Sequence, residues 1–513
     1  MTSNSQGPRD GVADEPPSAT RRAVMAGLAA SVATAPLVGQ SAAGSPDDES
    51  GVSSRMLARG TADYENARRR GVWQTSTPER YPDVIVQAQS VAEVRDVVRY
   101  ARAHHTTVAV KGSGHNYTST YLRDGGILLD LSKLKQVTFV AGGTHVLAQP
   151  GITNGELSAA LTEHGRAFPT GHHGGVGLGG YLLGGGMGWN GETWGQFACF
   201  NVAAVNVVTA AGSMLLADAH SHPDLYWAAR GAGPLFCGIA TEFRLKTYPA
   251  PPVILSSQFT YPLSSAVPIA RWLQRIADER PPDLDLFLLL LSEDKPKAGD
   301  GSERRQTALV YILSYDADRS AAEETLRRVA RSAPAADSLD RQELVPVSFA
   351  DLYAESLTGP ARRVGADTAW TNDPVQATKI LARHFESVPS ASTVGIINYR
   401  AKPRLPADAA FSMAGSGFVQ WLGQWEGADH DVDNQAWVQA AAHLLEPCTL
   451  GAYVNECDIV RRQDRLERCF SPDHLQRLRQ IRAQYDPDNL LPPPISLCRG
   501  SIGNRSARSS LAK

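Results

Sequence analysis

Two glycine-rich stretches carry the residues whose types could do chemistry. The first, Lys111 to Tyr117 (KGSGHNY), sets a single histidine, His115, in a short loop at the end of an apolar extended run, Thr107 to Val110. Loop residues so placed are commonly open to a ligand. The second, Gly171 to Gly188 (GHHGGVGLGGYLLGGGMG), is more than half glycine, too much for a helix or strand to hold alone. Glycine loses more conformational freedom on folding than any other residue, so this density implies backbone laid close against something. Peptide N–H groups approaching an anionic ligand fit that description, and a diphosphate is the natural candidate.

Two other sites compete for the same residues. Gly175 to Gly180 fits the dinucleotide fingerprint G-x-G-x-x-G, which requires a strand before it and a helix after it. The flanks, Ala167 to His173 and Gly184 to Gly188, offer neither, which argues against a nicotinamide site. The histidine pairs His104/His105 and His172/His173 suggest a metal, but neighbouring side chains in an extended segment point opposite ways. No Cys, Asp or Glu cluster stands nearby at ligand spacing, so no metal is expected.

The elements that position these loops follow from pattern. Ser54 to Arg70 reads as a helix, and the first ordered unit begins near Trp73. Asp83 to Ala88 reads as a strand; Ser90 and Glu93 make a capping box that opens a helix with Val91, Val94, Val97, Val98 and Ala101 on one face. With Thr107 to Val110 this is a β-α-β unit, delivering His115 at the far end of its second strand, where ligands sit in open α/β sheets. Ile127 to Leu131 and Val137 to Val140 read as further strands, and Thr153 to His164 as a short helix. Beyond a boundary at Pro249 to Pro252, strand-like Leu286 to Leu291 and Ala308 to Leu313 and helical Ala321 to Ser332 predict a sheet with covering helices. Ser471 and Pro472 open a last helix with Leu475, Leu478, Ile481 and Tyr485 on its apolar face, stopping at Asp486 to Leu490.

Composition narrows the partners. Of 513 residues, 42% are hydrophobic and 20% charged, the balance of an ordinary soluble globular protein with several domains. A formal net charge of -3 and the absence of a basic stripe with interleaved aromatics exclude nucleic acid. Thr20, Arg21 and Arg22 precede an alanine-rich apolar run, Ala23 to Val38, and small residues Ser41 to Ala43 before Gly44. That pattern predicts a twin-arginine export signal over residues 1–43, hence a periplasmic or extracellular protein; an uncleaved disordered tail is the alternative. The run is too short for a confident span, so no membrane insertion is expected after cleavage. Six cysteines fall unevenly; in an exported protein a disulfide among Cys448, Cys457, Cys469 and Cys498 is plausible, and ordinary buried thiols fit at least as well.

KGSGHNY resembles the R-S-G-G-H-S-Y loop of the FAD-linked oxidases of the vanillyl-alcohol-oxidase/PCMH superfamily, berberine-bridge-enzyme-like branch, where that histidine is bonded to FAD. Gly171, Val176, Gly177, Gly179, Gly180, Gly184, Gly185, Gly186 and Gly188 match the same family's second glycine segment. Asp224 to Gly233, leading into Phe236 to Thr241, resembles the block that closes the flavin domain. Tyr453 and Asn455 resemble its Y-x-N turn near the flavin ring, and Asp486 to Asn489 its closing D-P-x-N. Where doubly linked members carry a second flavin-bonded residue, a cysteine, this chain has His173. The resemblance therefore implies a single covalent bond, through His115.

It also implies an α+β fold: an FAD-binding PCMH-type domain in two subdomains, and a substrate domain with an antiparallel sheet covered by helices. The divisions expected are the signal 1–43, a linker and N-terminal helix 44–72, the FAD-binding domain 73–250, the substrate domain 251–440, a C-terminal berberine-bridge-type segment 441–497 returning to the FAD domain, and a tail 498–513. FAD is expected against Lys111, Gly112, Ser113, Gly114, His115, Asn116, Tyr117, Gly171, His173, Gly177, Gly179, Gly180, Gly184, Gly185, Gly238, Ile239 and Asn455. Lys111 stands where the family has arginine, and keeps the charge toward a diphosphate without the bidentate fork.

The activity implied is that of an exported FAD-dependent oxidoreductase. A C–H bond bearing an OH or amine, in an alcohol, sugar or secondary metabolite, gives hydride to FAD, and dioxygen or another acceptor takes the electrons. Tyr453 is the favoured proton acceptor through the Y-x-N match, although a phenol near pKa 10 needs activation. Glu456, ionised without help, is its rival, and a residue of the middle domain the third choice. A flavin-binding protein without turnover of its own is the alternative function, kept open by His173 in place of cysteine.

Overall fold

Alternation around His115 folds as a parallel unit. In the computed structural model, which describes residues 56–279, 283–296, 302–334, 338–354 and 362–494, strands Val84–Gln87 and Val108–Lys111 both pair with Ile127–Asp130, which lies between them. The expected export signal, residues 44–55 of the linker, Cys498 and the tail lie outside the described residues. Helix Val91–Ala103 makes the crossover, capped by Ser90, which accepts from the Glu93 N–H at 3.2 Å; Val94, Val97, Val98 and Ala101 are buried against the sheet. The helix expected over Ser54 to Arg70 is shorter. Strand Met56–Ala58 pairs with Val84–Gln87, and the helix covers Ala62–Arg70, because Thr61 caps it through the Tyr64 N–H.

A second, five-stranded antiparallel sheet runs Val137–Val140, His145–Ala148, Gly238–Lys246, Val202–Thr209, Met214–Ala217. Helices Asn154–Glu163, Pro223–Ala229 and Pro472–Tyr485 share its core through Leu157, Leu225, Leu475, Leu478 and Ile481. The last helix thus packs on the half of the molecule that carries His115. It ends in a tied turn: Asp486 accepts from the N–H groups of Leu490 and Leu491 at 2.7 and 3.0 Å and from Arg482 at 2.8 Å. The Leu490 carbonyl then accepts from the Val108 N–H at 2.8 Å, which joins the chain's end to the strand leading to His115.

The third sheet has seven antiparallel strands in the order Asp340–Pro346, Val253–Pro262, Ser302–Asp316, Leu284–Pro296, Val394–Tyr399, Gly417–Trp425, Arg363–Thr371. Successive side chains on a strand face opposite ways. On the outer face Leu286, Leu288, Leu290, Val310 and Ile312 are buried with Ile269, Leu326, Leu381 and Trp437 of four helices, Ala266–Glu279, Arg319–Arg331, Pro374–Phe385 and Asp431–Leu445. The last of these runs across the division expected at residue 440. On the inner face Phe287, Leu289, Leu291, Leu309 and Ile396 look toward the glycine loops. The architecture is α+β, with antiparallel sheets and covering helices.

Candidate active site

Between the glycine loops and the inner face of the seven-stranded sheet lies a cavity of about 1740 Å³. His115 lines it, four residues beyond the end of strand Val108–Lys111. Its ring lies 4.4 Å from that of Trp73 and 4.6 Å from that of His173. Burial, then the neighbouring His173, pushes the His115 pKa down to about 3, so the imidazole is neutral. Its Nε2 is buried without a protein partner. The Gly175 N–H donates to His173 Nδ1 at 3.0 Å. His172 diverges from His173 and sets its ring edge-on to Trp189 at 4.4 Å.

The second glycine stretch departs from expectation. A helix, Leu178–Leu183, forms inside it, opening within the G-x-G-x-x-G fit and anchored by buried Leu178, Tyr181 and Leu182. The glycines divide into two groups. A Cβ on Gly184 would overlap the Asn455 amide, and one on Gly185 would meet the Phe411 ring at 2.7 Å; neither residue lines the cavity. Gly180, by contrast, lines it and has nothing within 4 Å of such a Cβ. Part of the glycine density therefore lets the chain close on itself rather than on a ligand. Lys111 lines the same cavity, and its ammonium is paired with Asp130 at 2.9 Å, both buried.

The remaining expected residues gather on one cavity. Gly112, Ser113, Gly114, Asn116, Tyr117, Gly171, His173, Gly177, Gly179, Gly238, Ile239 and Asn455 line it with His115, as do Tyr453 and Glu456. The buried Tyr453 hydroxyl accepts from the Gly186 N–H at 3.0 Å and from Asn455 Nδ2 at 3.1 Å. Burial, and then the charge of Glu456, pushes its phenol further above the usual range. Glu456 accepts from Gln420 Nε2 at 2.8 Å, and the same amide reaches the Tyr117 hydroxyl at 3.3 Å. Loss of water around the Glu456 carboxyl pushes it up to about 7. Cys457 and Cys469 lie with sulfurs 3.5 Å apart, and the five described cysteines are all free thiols, the second of the two readings; Cys498 lies outside the described residues.

Gln420, Trp73 and Trp189 escaped the reading of the sequence. On strand Gly417–Trp425, Phe418, Gln420 and Leu422 alternate onto the inner face, and a glutamine within such a strand was the signal available. FAD fits the residues present: a loop of small residues, an open Gly180, and an orphaned imidazole nitrogen share one elongated cavity.

A loop-built cradle with a neutral histidine, and with Tyr453 and Glu456 on the same cavity, fits a flavin-binding protein. An FAD binding domain model matches residues 82–218, and a berberine and berberine-like model matches residues 452–493. The chain is 28% identical to FAD-linked oxidoreductase nodO of Hypoxylon pulicicidum over 435 residues, 83% of this chain and 93% of that protein. It is 32% identical to (R)-6-hydroxynicotine oxidase of Paenarthrobacter nicotinovorans over 190 residues, 37% of this chain and 41% of that protein. Its fold matches Physcomitrella patens BBE-like 1 with a TM-score of 0.74 at 20% identity, covering 87% of this chain and 97% of that one. With an FAD binding domain and a berberine-like segment in one chain, the protein is an FAD-linked oxidoreductase similar to the berberine-bridge-like enzymes.

Proposed function

We propose that this is an exported oxidoreductase that removes hydride from a C–H bond bearing an OH or amine on a small molecule. FAD is held by one covalent bond, to His115, and is reoxidised by dioxygen or another acceptor. The observation that carries the reading is Glu456, supported by Gln420, on the same cavity as His115.

Bound FAD supplies the two-electron acceptor. Glu456 supplies the base. A carboxyl raised to about 7 is substantially ionised at neutral pH yet basic enough to take a heteroatom proton. Tyr453, the acceptor favoured by motif, is raised away from ionisation, and its oxygen already accepts two N–H bonds. Its part is to hold Gly186 and Asn455 in place. Gln420 orients the Glu456 carboxyl. At His115 a neutral imidazole with an unpartnered nitrogen is the nucleophilic form that covalent attachment requires. Arg21 and Arg22 ahead of the apolar run support export by a route that carries folded, cofactor-loaded proteins.

Two measurements test this. Acid precipitation should leave the flavin colour in the pellet, with an FAD-sized mass on the His115 peptide. Under argon, at least one alcohol, sugar or amine donor should bleach the flavin; a panel that leaves it fully oxidised removes the turnover claim.

A further inference from the structure

Register arranges the inner face of the seven-stranded sheet into rows. Thr260, Leu309, Leu289, Ile396 and Gln420 stand directly opposite one another on five successive strands. At roughly 4.8 Å per strand, the strip from Gln420 across Ile396 and Leu289 to Leu309 is about 14 Å long. All five line the cavity, and the three between Thr260 and Gln420 are aliphatic. The row beside it carries Gln258, Tyr311, Phe287 and Asn398, all on the cavity, with the Phe287 ring 6.1 Å from that of Trp189. The Asn398 amide in that row is engaged within the protein, donating to the Leu286 carbonyl at 3.3 Å and accepting from Arg400 at 3.4 Å.

A sugar carries a hydroxyl on nearly every carbon, and each needs a partner once it leaves water. The strip gives none between Gln420 and Thr260, and the row beside it brings polar groups only at Gln258, Tyr311 and Asn398. At its Gln420 end stands Glu456, with no Lys or Arg acting on its carboxyl among the described residues. An ionised carboxylate out of water is costly unless a cation pairs with it. An ammonium brings that charge; an alcohol does not.

We propose that the substrate is an elongated lipophilic amine, its nitrogen paired with Glu456 and its hydrocarbon body along Ile396, Leu289 and Leu309. This rests on the oxidoreductase reading and narrows the donor from CH–OH or amine to amine. The ammonium proton passes to Glu456. The carbon beside nitrogen then gives its hydride, with both bonding electrons, to bound FAD, leaving an iminium that water hydrolyses.

Calorimetric titration of the FAD-loaded protein under argon tests the assignment with four probes: 4-phenylcyclohexylamine, 4-phenylcyclohexanol, cyclohexylamine and cellobiose. The first should bind at least about tenfold more tightly than the second, which lacks the charge, and than the third, which lacks the body. Glu456→Gln should bring the amine down to the affinity of the alcohol while leaving the alcohol unchanged. Leu289→Ser should weaken both by the same factor. The wild-type comparison stands even where a variant fails to fold. An alcohol binding as tightly as the amine, an amine preference that survives Glu456→Gln, tighter binding of cellobiose, or no binding by either phenyl probe would overturn the proposal. Bleaching of the flavin by a sugar or alcohol but by no amine would overturn it and leave the oxidoreductase standing. Amine binding with no donor able to bleach the flavin would instead uphold the pairing and remove turnover.

Discussion

The two ends of the cavity are built by opposite means. At the His115 end the wall is largely loop backbone, with small residues at Gly112, Ser113, Gly114, Gly177, Gly179 and Gly180. At the sheet end it is made of side chains, Phe287, Leu289, Leu309 and Ile396, held in rows by strand register. A backbone cradle binds what all members of a chemical class share, because it presents N–H groups whatever the neighbouring side chains are. A side-chain wall binds what distinguishes one ligand from another. If His115 is the attachment point proposed above, covalent flavin should be lost all at once with that residue, whereas the substrate end should fail by degrees.

The largest expected effect breaks the cradle's reactive corner. His115→Ala should abolish acid-stable flavin entirely and leave the His115 peptide without an FAD-sized mass, while the protein remains folded by circular dichroism. Retained covalent flavin would move the attachment elsewhere. Next comes the group that joins the two ends. Glu456→Gln should slow flavin reduction by roughly 10²–10⁴-fold, the range for losing a general base, measured by stopped flow under argon. Because the raised Glu456 carboxyl holds its proton below about 7, reduction in wild type should fall with falling pH through that value and level off above it. With a donor that does not itself titrate there, a flat profile would return the role to another residue.

The same contrast explains what was legible in advance. Ser90, Glu93 and the valines of helix Val91–Ala103 are local signals, and the strand, helix and loop that deliver His115 follow from them. The glycine run was misread in part because glycine signals a close approach without saying to what. The neighbour of Gly184 is Asn455 and that of Gly185 is Phe411, both brought in by tertiary folding. The Lys111–Asp130 ion pair, across two paired strands, is another tertiary relation that sequence periodicity does not show. Gln420 was invisible because its importance lies in facing Ile396 in register and in touching Glu456, and neither relation is periodic in sequence.

A third test compares the two faces of one sheet. Leu288 is fully buried under the helices, whereas Leu309 faces the cavity. Leu288→Ala should cost about 2–5 kcal/mol in denaturant unfolding, the usual price of a buried leucine. Leu309→Ala should cost much less, because part of its environment is open cavity, and should instead weaken binding of apolar ligands. Equal losses of stability would mean that the inner face is ordinary core.

The smallest effect is the most discriminating for the cradle. Gly184→Ala places a methyl group into the Asn455 amide, which holds the Tyr453 hydroxyl, so it should destabilise the protein by about 1–3 kcal/mol as overpacking does. Gly180 sits inside helix Leu178–Leu183 with nothing within 4 Å of an added Cβ. Gly180→Ala should therefore leave the FAD-free protein as stable, or up to about 1 kcal/mol more so, since alanine is the better helix former. If that open side is where FAD lies, the same methyl group should lower FAD affinity when the protein is reconstituted. A variant that gains helix stability and keeps full FAD affinity would show that Gly180 faces space the cofactor never enters, and would shift the cradle to the Gly112 to Gly114 loop alone.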